Sequence, residues 1–287
     1  MKKTIIYLIM IILGMLLISF PIISNYINTY KQTIVMSNYQ EDVKKLPKDE
    51  KQQELLNAQN YNEKLERSTA IDISLDTNKN EKDTEYINVL NIGNIMGYIS
   101  IPKIDVYFPI YHGISENVLQ SGVGHIEKSS LPIGGKNTHA VLAGHSGLAR
   151  IKIFDDLNKL CEGDLFYIYV LDKTLAYKVD RIDIVSPDDT ETIKTYENED
   201  YVTLVTCTPR ILNTNRLLVR GSRVEETDQH IEIYDNDENY RKTEKNNDDL
   251  DFKELKNNNI KKICLSITIL FFIFIIIVLI VFGKKNK

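Results

Sequence analysis

Two uncharged apolar runs, one near each end of the chain, constrain its architecture more than any other feature. Residues 5–23 read IIYLIMIILGMLLISFPII, and residues 263–282 read ICLSITILFFIFIIIVLIVF. Each is close to the roughly 20 apolar residues a helix needs to cross a bilayer core, and a buried core helix is usually shorter. Met1-Lys2-Lys3 precedes the first run. A cleaved signal peptide also starts basic, but its apolar stretch is about 7–15 residues and ends at a small-residue site. Here Ser24-Asn25-Tyr26-Ile27 follows, without such a site, so an uncleaved anchor is expected. Lys261 and Lys262 precede the second run, and Lys284, Lys285 and Lys287 follow it. Two spans put both termini on one side, and their lysines place that side in the cytoplasm. The middle of the chain is then outside.

The rest divides by texture. Residues 1–25 form the expected N-terminal anchor, and 26–94 a helical, lid-like region. Within it Ile34, Val35, Tyr39, Val43 and Leu46, then Leu55, Leu56, Ala58, Tyr61 and Leu65, recur at helical spacing, with Pro47 between the two sets. Residues 68–92 have a polar centre and read as a loop or flexible cover. From 95 to 224 come short β-rich runs: 98–102, 106–111, 138–144, 164–170, 175–182, 201–207 and 216–221, punctuated by Gly, Pro, Asn and Asp. About seven short strands with few helical patterns predict a mainly β fold, a closed or nearly closed β-barrel. Residues 150–160 (RIKIFDDLNKL) have the spacing of a short helix. A polar linker is expected over 225–260, where His230 is inert, and the second transmembrane helix and its tail over 261–287.

Of 287 residues, 26% are charged and the formal net charge is -5, so nothing points to nucleic-acid binding. Three cysteines exclude a dense disulfide framework. Cys264 lies in the second apolar run. Cys161 precedes Glu162-Gly163-Asp164, a turn, and reads as structural or surface-accessible. Cys207 ends a strand-like run just before Thr208-Pro209, so its thiol can lie at a sheet end. A strand cysteine is commonly a small buried hydrophobe. As a nucleophile it needs a thiolate, hence a positive or proton-accepting neighbour. His145, in Ala143-Gly144-His145-Ser146-Gly147, is the leading partner, because glycines on both sides let the ring project from a strand end. His112, His125 and His139 are rivals, and any of the four can instead be a hydrogen-bonded structural histidine. Arg216 opens the last strand. It is either a solvated edge residue or a permanent donor for a developing oxyanion. Arg220 faces the same way two pleats along. A Cys161–Cys207 disulfide is the competing use of both thiols in an oxidising compartment. No metal cluster, phosphate-binding glycine loop or nucleotide motif occurs, so no cofactor is expected.

Taken together, the motifs resemble those of the sortase family. Thr203-Leu204-Val205-Thr206-Cys207 followed by Asn215-Arg216-Leu217-Leu218 looks like the sortase TLxTC…R signature, and Val141-Leu142-Ala143-Gly144-His145 its histidine segment. The resemblance covers roughly 95–224. Residues 96–104, 109–113, 122–125 and 130–132, together with the C-terminal span, resemble the class C, pilin-polymerising branch in particular. The Asp-Pro-aromatic lid motif of many class C sortases is absent, since no proline lies between Pro47 and Pro102. Nothing marks Asp72 or Asp76 as a substitute. The resemblance implies a cysteine transpeptidase at a Gram-positive-type cell surface, with Cys207, His145 and Arg216 as its catalytic residues. It would cleave LPxTG-like sorting signals of pilins or other surface proteins and pass the acyl group to a Lys amine of a pilin or to a cell-wall peptide. Other readings are a cell-wall-anchoring sortase and a non-catalytic tethered binding domain. A close approach of Cys207, His145 and Arg216 argues against the last.

Overall fold

The computed structural model describes residues 2–67, 84–148, 150–189, 191–209 and 212–224. The expected 225–260 linker, the second span, and Asp72 and Asp76 lie outside the described residues. Helix α1 spans Lys2–Lys45 as one element, so the first apolar run and the first juxtamembrane pattern share a helix. Its Met10–Lys45 portion is long and apolar enough to cross a membrane, with mean hydropathy 2.0 over its most apolar window. Leu17 and Phe20 there are 68% and 59% exposed. Farther along, the helix becomes amphipathic. Met36, Tyr39 and Val43 lie on one stripe and pack against Ile95 and Tyr98. The Tyr39 hydroxyl donates to the carbonyl of Met96 and accepts from the Leu171 amide, at 3.0 and 2.8 Å.

Pro47 ends this helix, since it supplies no amide hydrogen for a continuing turn. Helix α2 (Lys48–Arg67) follows and buries Ala58, Tyr61 and Asn62. The Asn62 side chain clasps the backbone of Leu131 from both sides, donating to its carbonyl at 3.3 Å and accepting from its amide at 2.7 Å. Among the described residues the other α-helices are the short α3 (Thr84–Asn88) and α4 (Glu116–Leu119).

Eight strands close a barrel: β1 (Gly97–Ile101), β2 (Val106–His112), β3 (Val123–His125), β4 (Thr138–Ala143), β5 (Leu165–Val170), β6 (Lys173–Val185), β7 (Asp200–Thr208) and β8 (Asn215–Val224). Their order is β1-β2-β3-β4-β7-β8-β6-β5, and β5 pairs with β1. The pairs β2/β3 and β4/β7 are parallel, and the others antiparallel. Seven strands match the expected runs. β3, at 3 residues, is too short to show alternation and is the added one. Alternate residues of β4, β7 and β8 fill the interior: Ala140 and Leu142, Val202 and Leu204, Leu217 and Val219. Their neighbours Val141, Val205 and Leu218 face the other way and form a second apolar cluster with Ile126 and Ile193.

Residues 150–160 depart from expectation. They contain only a 3-10 turn, Leu157–Lys159. Their apolar side chains are buried (Ile151, Ile153, Phe154, Leu157 and Leu160), but their backbone groups bond elsewhere. The Lys152 amide donates to Asn25 Oδ1 at 3.2 Å, the Arg150 carbonyl accepts from Asn28 Nδ2 at 3.1 Å, and the Phe154 amide donates to the His145 carbonyl at 3.0 Å. Partners from α1 and the end of β4 replace helical hydrogen bonds.

Candidate active site

The sheet register sets three residues in a row. Cys207 on β7 lies directly opposite Arg216 on β8. On the other side, β4 runs parallel to β7 with Ala143 beside Val205. The Gly144 amide continues that ladder by donating to the Val205 carbonyl at 3.0 Å. His145 therefore follows in line beside Cys207, about one strand spacing (~4.8 Å) away in backbone terms. Alternation puts Cys207 on the face of Val205, Arg216 on that of Leu218 and His145 on that of Val141 and Ala143. All three thus share the outer face that carries the second apolar cluster.

Side chains lock the end of β4 onto β7. Thr206 Oγ1 donates to the Gly144 carbonyl at 2.8 Å, and Ser146 Oγ donates to the Cys207 carbonyl at 3.0 Å. Asp155 Oδ1 accepts from the Gly147 amide at 3.1 Å. Gly144 is required here, because a Cβ would lie 2.6 Å from the Phe154 ring. Cys207 is half-buried, and Cys161 is exposed in its turn. Both are free thiols, so the competing disulfide is not formed.

Four histidines competed in the sequence, and their surroundings separate them. His125 is fully buried. Its Nε2 lies 2.8 Å from the Ser130 carbonyl, and its Nδ1 lies 2.9 Å from the Tyr86 hydroxyl. Burial pushes its pKa down to about 3. His139 faces outward on β4, but its Nδ1 sits 2.7 Å from the Lys194 carbonyl and its Nε2 2.7 Å from Thr203 Oγ1. Burial lowers it to about 4. His112 places Nε2 2.8 Å from the Val89 carbonyl, and burial lowers its pKa too. These three are ring-anchored structural residues. His145 is half-buried, and its Nε2 lies 3.3 Å from Glu116 Oε2. Glu116 also accepts from Gln120 Nε2 at 2.7 Å, and that bond is the main reason its carboxyl is held below the usual range. Sequence reasoning missed Glu116, for no spacing ties the start of α4 to the end of β4.

The two arginines separate likewise. A bulge between Val179 and Arg181 frees Asp180, which takes the Arg220 guanidinium in a fork at 3.1 and 2.8 Å. Arg220 also lies 4.2 Å from the Tyr201 ring centroid. Arg216 has no carboxylate partner among the described residues. Its Nη1 donates to the carbonyls of Asn213 and Asn215 at 3.2 and 3.3 Å. Among the described residues no group of three or more acidic, histidine or cysteine side chains is placed to hold a metal.

Acid should expose the two buried histidines. Unfolded, each titrates near 6.5. Folded, their pKa values are about 3 and about 4. Below pH ~6.5 the unfolded chain binds protons that the folded chain refuses, so stability falls as pH drops. The loss reaches on the order of 3 kcal/mol per histidine near pH 4, because each pKa unit is worth about 1.4 kcal/mol. Asp200, raised by burial, offsets part of it. Thermal melts at pH 7, 5.5 and 4.5 should show a steady fall in Tm. A flat profile would contradict the burial of these rings.

An eight-stranded closed barrel with a Cys, a His and an Arg abreast on its outer face defines a class of surface enzymes whose fold is that of the sortases. The sortase-domain family matches residues 99–224. The chain is similar to Streptococcus agalactiae sortase C1, at 40% identity over 67% of this chain and 98% of that one, with TM-score 0.64. It is also similar to Streptococcus pneumoniae sortase C, at 42% identity over 67% and 97% of the two chains, with TM-score 0.63. Bacillus anthracis sortase A is 31% identical over 130 residues, which are 45% of this chain and 60% of that relative. The chain belongs to the sortase family, and the solved structures it resembles are class C sortases.

Proposed function

We propose that this chain is a membrane-anchored cysteine transpeptidase that joins pilin subunits. The observation that carries this reading is the row formed by His145, two residues past the end of β4, Cys207 on β7 and Arg216 on β8. In the first half-reaction His145 takes the thiol proton, and Cys207 Sγ attacks the Thr carbonyl carbon of an LPxTG-like signal. Arg216 turns its fork to the developing oxyanion. The C–N bond breaks, His145 returns the proton to the leaving amine, and a thioester remains on Cys207. In the second half, a Lys amine of another pilin attacks the thioester, His145 removes its proton, and an isopeptide bond replaces the C–S bond.

Pilin joining is favoured over wall anchoring because the Streptococcus pneumoniae sortase C it resembles has pilin substrate specificity. Helix α1 serves as the anchor, and the second apolar run as a further span. Incubating the full chain in nanodiscs with candidate pilins should yield covalent oligomers with Lys isopeptide bonds, read by mass spectrometry. Transfer only to a cell-wall peptide amine would favour anchoring. No thioester with any sorting peptide would overturn the enzyme reading.

A further inference from the structure

We propose that a cleft between α1, α4 and the loop after β4 binds the headgroup of an anionic phospholipid, holding the catalytic face at the membrane surface. The inference rests on α1 being a membrane anchor. The cleft has a volume of about 290 Å³, close to the roughly 300 Å³ at which small-molecule sites begin. Polar side chains dominate its lining: Asn28 from α1, Asn117 and Gln120 from α4, Ser121 just beyond, and Arg150 from the loop. Leu148 and Ile151 close its apolar side, and among the described residues no carboxylate lines it.

Its depth relative to a bilayer follows from helix geometry. Ile23 ends the first apolar run, and α1 continues unbroken past it. At 1.5 Å per residue, Asn25 lies about 3 Å and Asn28 about 7.5 Å beyond the last apolar position. A bilayer's polar layers extend roughly 5–8 Å beyond each side of its hydrocarbon core. Asn25 and Asn28 are the residues that hold the loop, through the Lys152 amide and the Arg150 carbonyl. The loop and its cleft are therefore fixed at headgroup level. Tyr26, between the two asparagines, is of the residue type enriched at that interface.

The donors suit a phosphodiester. Arg150 and Lys152 are exposed, and neither side chain is in an ion pair among the described residues. The fixed fork of Arg150 matches phosphate oxygens. The amides of Asn28, Asn117 and Gln120 offer neutral hydrogens around it. An anionic leaflet attracts such cations with a strength of roughly fivefold in affinity per charge. The loop starts at Leu148, three residues after His145, and Gln120 donates to Glu116, which reaches the His145 ring. A bound headgroup would thus set the height of the catalytic row above the membrane.

Hydrogen exchange on the full chain in nanodiscs tests this. Discs of phosphatidylcholine alone are compared with discs one-third phosphatidylglycerol. Amides of 146–153 should exchange at least about fivefold more slowly in the anionic discs, and Arg150→Gln should abolish the difference. Lys31→Gln, a change on α1 outside the cleft, should leave it intact. Equal exchange in both discs, with the chain still embedded, would overturn the headgroup site but not the anchor. Protection that survives Arg150→Gln would overturn the cleft as its location. The same protection from inorganic phosphate in detergent would overturn the lipid as ligand. A chain that fails to stay with the discs would overturn the anchor, and the inference with it.

Discussion

Replacing Cys207 by alanine is expected to remove thioester formation and covalent pilin oligomers entirely, a loss of at least about a thousandfold in turnover. The side chain is half-buried near the end of β7, its backbone carbonyl is held by Ser146, and alanine preserves that ladder. Melting temperature should therefore shift by only a few degrees while chemistry stops. Intact-protein mass spectrometry after mixing with a sorting peptide reads both outcomes, since the acyl adduct is a fixed added mass. Cys161→Ala is the matched control. Its thiol is exposed in the turn before β5, and its amide bonds Asp164 within that turn. Ladders should persist without it. An acyl adduct on the Cys207→Ala chain would end the nucleophile assignment.

The parts of this architecture visible in the sequence were those set by local periodicity. Seven strands announced themselves as β-branched and aromatic runs between Gly, Pro and Asn. The break at Pro47 is a backbone rule and was equally visible. β3 was not, because three residues carry no alternation and its pairing with β2 depends on distant chain. The helix expected over 150–160 failed for a related reason: apolar spacing showed that one face is buried, yet Asn25 and Asn28, more than 120 residues away, took the backbone groups a helix would have used. The site divides along the same line. The motifs around Cys207, His145 and Arg216 marked their candidates. Spacing could not rank four histidines, since what disqualifies His112, His125 and His139 is burial against Val89, Tyr86, Ser130 and Lys194. Glu116 left no trace, because its role exists only once α4 stands beside the end of β4.

Arg216→Lys is expected to reduce kcat/KM by roughly a hundredfold to a thousandfold, the range for removing one well-aimed oxyanion donor. Charge is retained, so simple electrostatics predicts little change. What is lost is geometry. The guanidinium is anchored through Nη1 to two carbonyls of its own turn, at 3.2 and 3.3 Å. Among the described residues its other donors have no partner, and a single ammonium has no second arm with which to be held and to donate in a fixed direction. Arg220→Lys on the same strand isolates this effect. That residue loses a two-armed bond to Asp180 and its stacking on Tyr201, so Tm should fall while turnover stays within a few-fold. If Arg216→Lys turned over almost normally, the fork would be dispensable and the residue would act only as a nearby charge. If both lysine variants lost activity equally, their shared β8 backbone rather than Arg216 would be the sensitive element. Separate responses, activity at one end of β8 and stability four residues along it, are what the contrast requires between Arg216, without a carboxylate partner among the described residues, and the paired Arg220.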